Sequence, residues 1–142
     1  MDEHVVFVAF SRVLTGIDGL AAHLATVHLA RVQADATAAA LLPELLTRFT
    51  ALDPTAPDFA AAFGRALFSH DEVGALSRRI LVLWYTGAWY SGPWPAVDAS
   101  LLDYSDKDPS AYFGALMWSA IGAHPPGLSG GYLGYWRYPP EN

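Results

Sequence analysis

Through residues 1–90 the bulky apolar residues recur every three or four positions, the spacing of a buried helical face. In residues 4–15, Phe7, Phe10 and Leu14 form such a face, and Gly16 is placed to end the helix in a left-handed turn. Asp18 is expected to cap a second helix running to about Gln33, along which Leu20, Leu24, Val27 and Arg31 step. Asp35 is expected to cap a third, running to about Ala51, with Leu41, Leu42, Leu45, Leu46 and Phe49 as its stripe. Pro43 either kinks that helix or starts a new one at its first position. After the proline-rich turn 52–57 comes a fourth helix carrying Phe59, Phe63, Leu67 and Phe68. Ser69 and Glu72, at capping-box spacing, open a fifth.

That fifth element contains the stretch around which the chain is organised, RRILVLWYTGAWYSG at 78–92. Six consecutive apolar residues, 80–85, reach every side of a helix, which predicts a helix buried among other elements. The run is far short of the roughly 18 residues of a membrane span. Gly87 is expected to let a neighbouring backbone or ring approach closely.

Beyond Tyr90 the pattern changes. Residues 91–108, with Pro93, Pro95 and four aspartates, read as an extended loop. Asp108–Pro109 is a helix start, followed by the apolar side of Phe113, Leu116 and Ala120. Four prolines and five glycines between Gly122 and Pro140 then rule out regular structure. The expected fold class is all-α: a bundle of five to six helices in one domain, residues 1–142. Its helical core is 1–90, and 91–142 holds a loop, a short helix and a long irregular, aromatic, Pro/Gly-rich tail.

The aromatic residues sharpen that division. Six phenylalanines and no tyrosine or tryptophan precede Trp84; from there on stand all five tryptophans, all seven tyrosines and one phenylalanine, Phe113. Phenylalanine suits a dry core, whereas tyrosine and tryptophan carry a polar handle and are enriched where a surface meets a partner. Trp84 and Trp118 are expected in the core. The candidate interface residues are Trp89, Tyr90, Trp94, Tyr132, Tyr135 and Trp136, with Arg137 as an ion-pair partner.

Composition adds to this picture. Charged residues are 15% of the chain, against about 25% in a typical domain, and 53% are hydrophobic. A small domain of that make-up either forms a compact alanine-rich bundle or keeps an apolar face for a permanent partner, and the second is preferred. The net charge of −6, a single lysine and seven scattered arginines provide no basic stripe for nucleic acid or anionic lipid. There is no cysteine, hence no disulfide, thiolate metal site or cysteine nucleophile.

No catalytic set emerges. His23 and His28 are five apart and do not share a helix face; there is no HExxH, Walker motif, GxGxxG after a strand, or GxSxG elbow. His124, restrained by Pro125–Pro126, reads as a loop histidine bonded to nearby backbone. Asp103, Asp106 and Asp108 lack the glycine and closing glutamate of an EF-hand and read as a solvated loop. Arg78–Arg79 reads as an ordinary surface ion-pairing dyad. No catalytic, cofactor-binding or metal residue is assigned.

Several segments carry a resemblance: FVAFSRVLTGIDGL at 7–20, LWYTGAWYSG at 83–92, YFGALMWSAIGAHPPGLSGGYLGYW at 112–136, and the closing Pro139–Pro140. Together they resemble the small (gamma) subunit of bacterial FAD-dependent sorbitol, fructose and glucose dehydrogenases, over nearly the whole chain. The resemblance implies a helical, cofactor-free subunit that folds and stabilises a large catalytic subunit of the glucose–methanol–choline oxidoreductase type. FAD then sits in the partner, and a cytochrome c subunit is a further candidate partner. An obligate interface of this kind buries on the order of 2,000 Å² or more. Family members commonly carry a twin-arginine leader. No such signal stands in this sequence, which therefore reads as cytoplasmic, or as periplasmic where a leader has been trimmed. Some members have a cysteine near the glycine turn; here the residues are Leu128–Ser129–Gly130, so no covalent link forms through that position. The alternatives are a free-standing helical module with an aromatic ligand site and a metal-dependent enzyme built on the histidines.

Overall fold

The computed structural model describes residues 2–94, 96–104 and 109–122. The fold is all-α, as the periodicity predicts. The chain divides into two compact units, Met1–Leu81 and Val82–Asn142, with the division falling inside a helix.

The first unit contains α1 (Glu3–Thr15), α2 (Ala22–Ala34), α3 (Ala36–Thr50), α4 (Phe59–Phe63) and most of α5 (Asp71–Thr86). Asp2 starts α1, its carboxylate accepting from the backbone N–H groups of His4 (2.8 Å) and Val5 (3.4 Å). Gly16 ends it at φ 72°, as expected of a left-handed terminator. Asp18 does not cap α2. The helix starts four residues later, with Ala21 at its N-cap and no side-chain bond there. A start at Asp18 would have put Gly19 into the first turn, at about 1 kcal/mol relative to alanine. Asp35 does cap α3, accepting from the Ala38 N–H at 2.9 Å. Pro43 lies within the continuous α3, so it does not start a new helix.

α1, α2 and α3 pack on one another pairwise. Their core is built on a phenylalanine cluster. The Phe10 ring meets Phe49 edge-on at 5.7 Å and Phe63 at 6.0 Å, and Phe63 in turn meets Phe68 at 6.1 Å. Such pairs contribute about 0.5–1.5 kcal/mol each beyond their buried area. α4 continues into a π-helical turn, Gly64–Phe68.

The expected capping box at Ser69 and Glu72 is overturned. Ser69 still has helical backbone (φ −79°, ψ −13°) as it closes the π turn, whereas an N-cap needs extended backbone. His70 takes the role, its Nδ1 accepting from the Val73 N–H at 3.3 Å.

α5 also differs from expectation. Val73, Leu76, Ser77, Ile80, Leu83 and Trp84 are buried, which is one stripe at i, i+3, i+4, i+7; Leu81, Val82 and Tyr85 keep partial exposure. The all-round apolar run thus contributes a single buried face. The helix ends at Thr86, and Gly87 (φ 76°) terminates it instead of lying within it. Trp89 and Tyr90, assigned by sequence to the helical core, form β1 (Trp89–Tyr90).

In the second unit β1 pairs antiparallel with β2 (Leu102–Asp103), Trp89 opposite Asp103 and Tyr90 opposite Leu102. A 3₁₀ turn, Ala99–Leu101, precedes β2. A 3₁₀ turn and a strand thus occupy residues 99–103, in place of the extended loop expected there. The single helix expected after Pro109 is two short ones, α6 (Ser110–Phe113) and α7 (Leu116–Ala120), separated at Gly114.

Candidate functional site

The second unit carries two aromatic groupings, the first centred on one buried ring. Tyr90 is 0% exposed. Its hydroxyl donates toward the carbonyl oxygens of Pro93 (2.6 Å) and Ala96 (3.2 Å), and accepts from the backbone N–H of Asp98 (3.2 Å). One side chain thereby ties together three backbone groups of the loop. Gly92 lies over the same ring: a Cβ there would stand 2.5 Å from the Tyr90 hydroxyl oxygen and 2.7 Å from Leu101 Cδ1.

Trp94 packs edge-on to Tyr90, ring centres 5.1 Å apart, and is half-buried. Its indole nitrogen is buried with no hydrogen-bond partner among the described residues. A buried unpaired donor costs about 1–3 kcal/mol. Beside it Val97 is 45% and Leu101 41% exposed. The Asp98 carboxylate accepts from Ser100 Oγ (2.7 Å) and the Ser100 N–H (3.0 Å), and these bonds hold its carboxyl below the usual range.

A second aromatic run lies further along. Tyr112 meets Tyr104 at 5.8 Å and Trp118 at 5.5 Å, and the Trp118 indole N–H donates to the Tyr112 carbonyl oxygen at 2.8 Å. Burial, then the neighbouring Tyr112, push the Tyr104 phenol up, partly offset by a hydrogen bond with Thr86.

Of the residues expected at an interface, Trp89 (4% exposed) and Tyr90 are enclosed in the chain's own fold and have little or no surface to present. Trp94 keeps an open side. Tyr132, Tyr135, Trp136 and Arg137, with His124, lie outside the described residues. Trp84 is buried, as expected, and Trp118 is only half-buried. Val97 and Leu101 were missed by sequence reasoning, because nothing in a loop's apolar pattern distinguishes an outward residue from an inward one.

The first unit has an open apolar groove of about 490 Å³, lined by Val5, Val13, Phe49, Leu52, Pro54 and Phe59, with Arg12 and Asp18 among its polar groups. Among the described residues no cluster of three or more metal-ligating side chains occurs, and no helix is long and apolar enough to cross a membrane. Among the described residues the two strands are two residues each and antiparallel, so no parallel βαβ unit with a glycine-rich turn occurs there.

The family model described as membrane bound FAD containing D-sorbitol dehydrogenase matches residues 2–140. No curated protein and no solved structure matches the chain.

Proposed function

This chain belongs to the family described as membrane bound FAD containing D-sorbitol dehydrogenase, and from that premise we propose that it is the non-catalytic small subunit of a sugar or polyol dehydrogenase complex. Its role is to bind, fold and stabilise the large FAD-containing subunit, of the glucose–methanol–choline oxidoreductase type, which holds the flavin and oxidises the substrate. The family match over nearly the whole chain carries this reading. It is supported by the apolar groups left outward in both units: Val5, Val13, Val97, Leu101, Tyr104 and Ile121.

The partner meets the C-terminal third in this proposal. Trp94, Tyr132, Tyr135, Trp136 and Arg137 are the contacts, and the enclosed Tyr90 backs Trp94. A cytochrome c subunit would join through the catalytic subunit.

Light scattering on a sizing column tests the reading, with the chain run alone and co-expressed with the FAD-containing subunit of its own organism. A yellow one-to-one complex is the expected result. A colourless monomer that ignores the flavoprotein would overturn it. Tryptophan fluorescence that then responded to a sugar would favour a free-standing binding module.

A further inference from the structure

We propose that the described residues of the 91–104 loop are a preformed docking surface for the FAD-containing subunit, and that the partner surface seated there is an apolar patch rimmed by arginine or lysine. This rests on the subunit reading above and adds the place and chemistry of the contact.

Three observations carry it. The loop is held in one conformation from inside: the Tyr90 hydroxyl bonds to Pro93, Ala96 and Asp98, and its ring contacts Trp94 and fills the space above Gly92. A surface fixed in advance loses little conformational entropy on binding, which is the main advantage of preorganisation. Among the groups this scaffold turns outward are apolar ones: Trp94 is half-buried, and Val97 and Leu101 are 45% and 41% exposed. Trp94, moreover, is held with its indole nitrogen buried and without a partner among the described residues.

Charge decides the occupant. No lysine or arginine occurs between Arg79 and Lys107, while Asp98 and Asp103 fall within the loop. Asp98 is exposed, and its bonds to Ser100 keep it ionised and fixed in place. A second copy of this chain would bring like charges together; a basic rim complements them and steers association.

The test is binding of the purified chain to the FAD-containing subunit, following rates and Kd against salt. Trp94→Ala is expected to weaken Kd at least tenfold, mainly through faster dissociation. Tyr90→Phe, which leaves the ring in place and only frees the loop, should weaken it several-fold with helicity unchanged. Asp98→Asn can still accept from the Ser100 N–H; it should slow association and flatten its dependence on salt. Val97→Ser and Leu101→Ser, at exposed positions, serve if Trp94→Ala does not fold, and each should weaken Kd. Wild-type Kd in Trp94→Ala, or in both serine variants, would overturn the docking surface while the complex itself still formed. Association of the wild-type chain that ignores salt would overturn the basic rim. Self-association of the chain, abolished by Leu101→Ser, would overturn the assignment in favour of a second copy. Failure of the wild-type chain to form any complex would instead remove the subunit reading.

Discussion

Gly87 and Ala111 approach backbone to backbone: a Cβ on Gly87 would stand 2.5 Å from the Ala111 carbonyl oxygen and 2.6 Å from its carbonyl carbon. Gly87 also has a φ of 76°, where a side chain is strained. The contact lets α6 close on the end of α5. Gly87→Ala is expected to destabilise the chain by about 2–4 kcal/mol, adding left-handed strain to overpacking. Gly16→Ala is the control, with a similar φ of 72° and nothing within 4 Å, and should cost only about 1 kcal/mol. Urea unfolding of the two variants would show this difference, and equal costs would contradict the close approach.

Tyr90→Phe removes one donated hydrogen bond, shared between two carbonyl oxygens, and one accepted, with no loss of ring packing. Two carbonyl oxygens and one N–H lose their shared partner, and because the loop is largely exposed, water replaces part of what is lost. A destabilisation of about 1–2 kcal/mol is expected, with amide exchange of Asp98 accelerated and that of α1–α3 unchanged.

His28 makes stability depend on pH. The ring is 1% exposed, and burial lowers its pKa from 6.5 to about 4. The folded state therefore prefers the neutral ring, and between those values the unfolded chain binds more protons. This contribution is complete above pH 6.5 and is lost progressively as the pH falls toward 4. At pH 5 the loss is about 2 kcal/mol. A pH series of melting temperatures should fall over that window, and His28→Gln should flatten the fall.

The two aspartates expected at helix starts separate cleanly. Asp35→Ala removes the bond to the Ala38 N–H and should cost about 1 kcal/mol. Asp18→Ala removes no cap and should lie within about 0.5 kcal/mol of the parent. Parallel thermal melts decide the point.

Ser11 is 0% exposed, and its hydroxyl has no partner among the described residues. Ser11→Ala is expected to stabilise the chain by about 1 kcal/mol, by removing the unpaired group and raising helix propensity. An unchanged or lowered midpoint would indicate an internal water at that oxygen.

Much of this protein is determined by local sequence. The 3.6-residue recurrence of Phe7, Phe10 and Leu14, of Leu42, Leu45 and Leu46, and of Phe59 and Phe63 is enough to specify helices and the face each buries. Gly16 and Asp35 mark boundaries because their effect operates within one turn. The division of phenylalanine from tyrosine and tryptophan also separates the dry first unit from the aromatic second.

Other features depended on what lies across space. Ser69 has the spacing of a cap, but the π turn before it keeps its backbone helical, so the cap passes to His70. The run 80–85 is apolar on all sides, yet only neighbouring elements determine which stripe is buried, and here it is the side of Ile80, Leu83 and Trp84. Trp89 and Tyr90 look like surface anchors by residue type. Antiparallel pairing with Leu102 and Asp103 turns them inward, and the Tyr90 hydroxyl then organises a loop that leaves Trp94, Val97 and Leu101 outward. Composition marks the C-terminal third by its tyrosines and tryptophans; the inward or outward direction of each described side chain there came from long-range pairing, which no local pattern encodes.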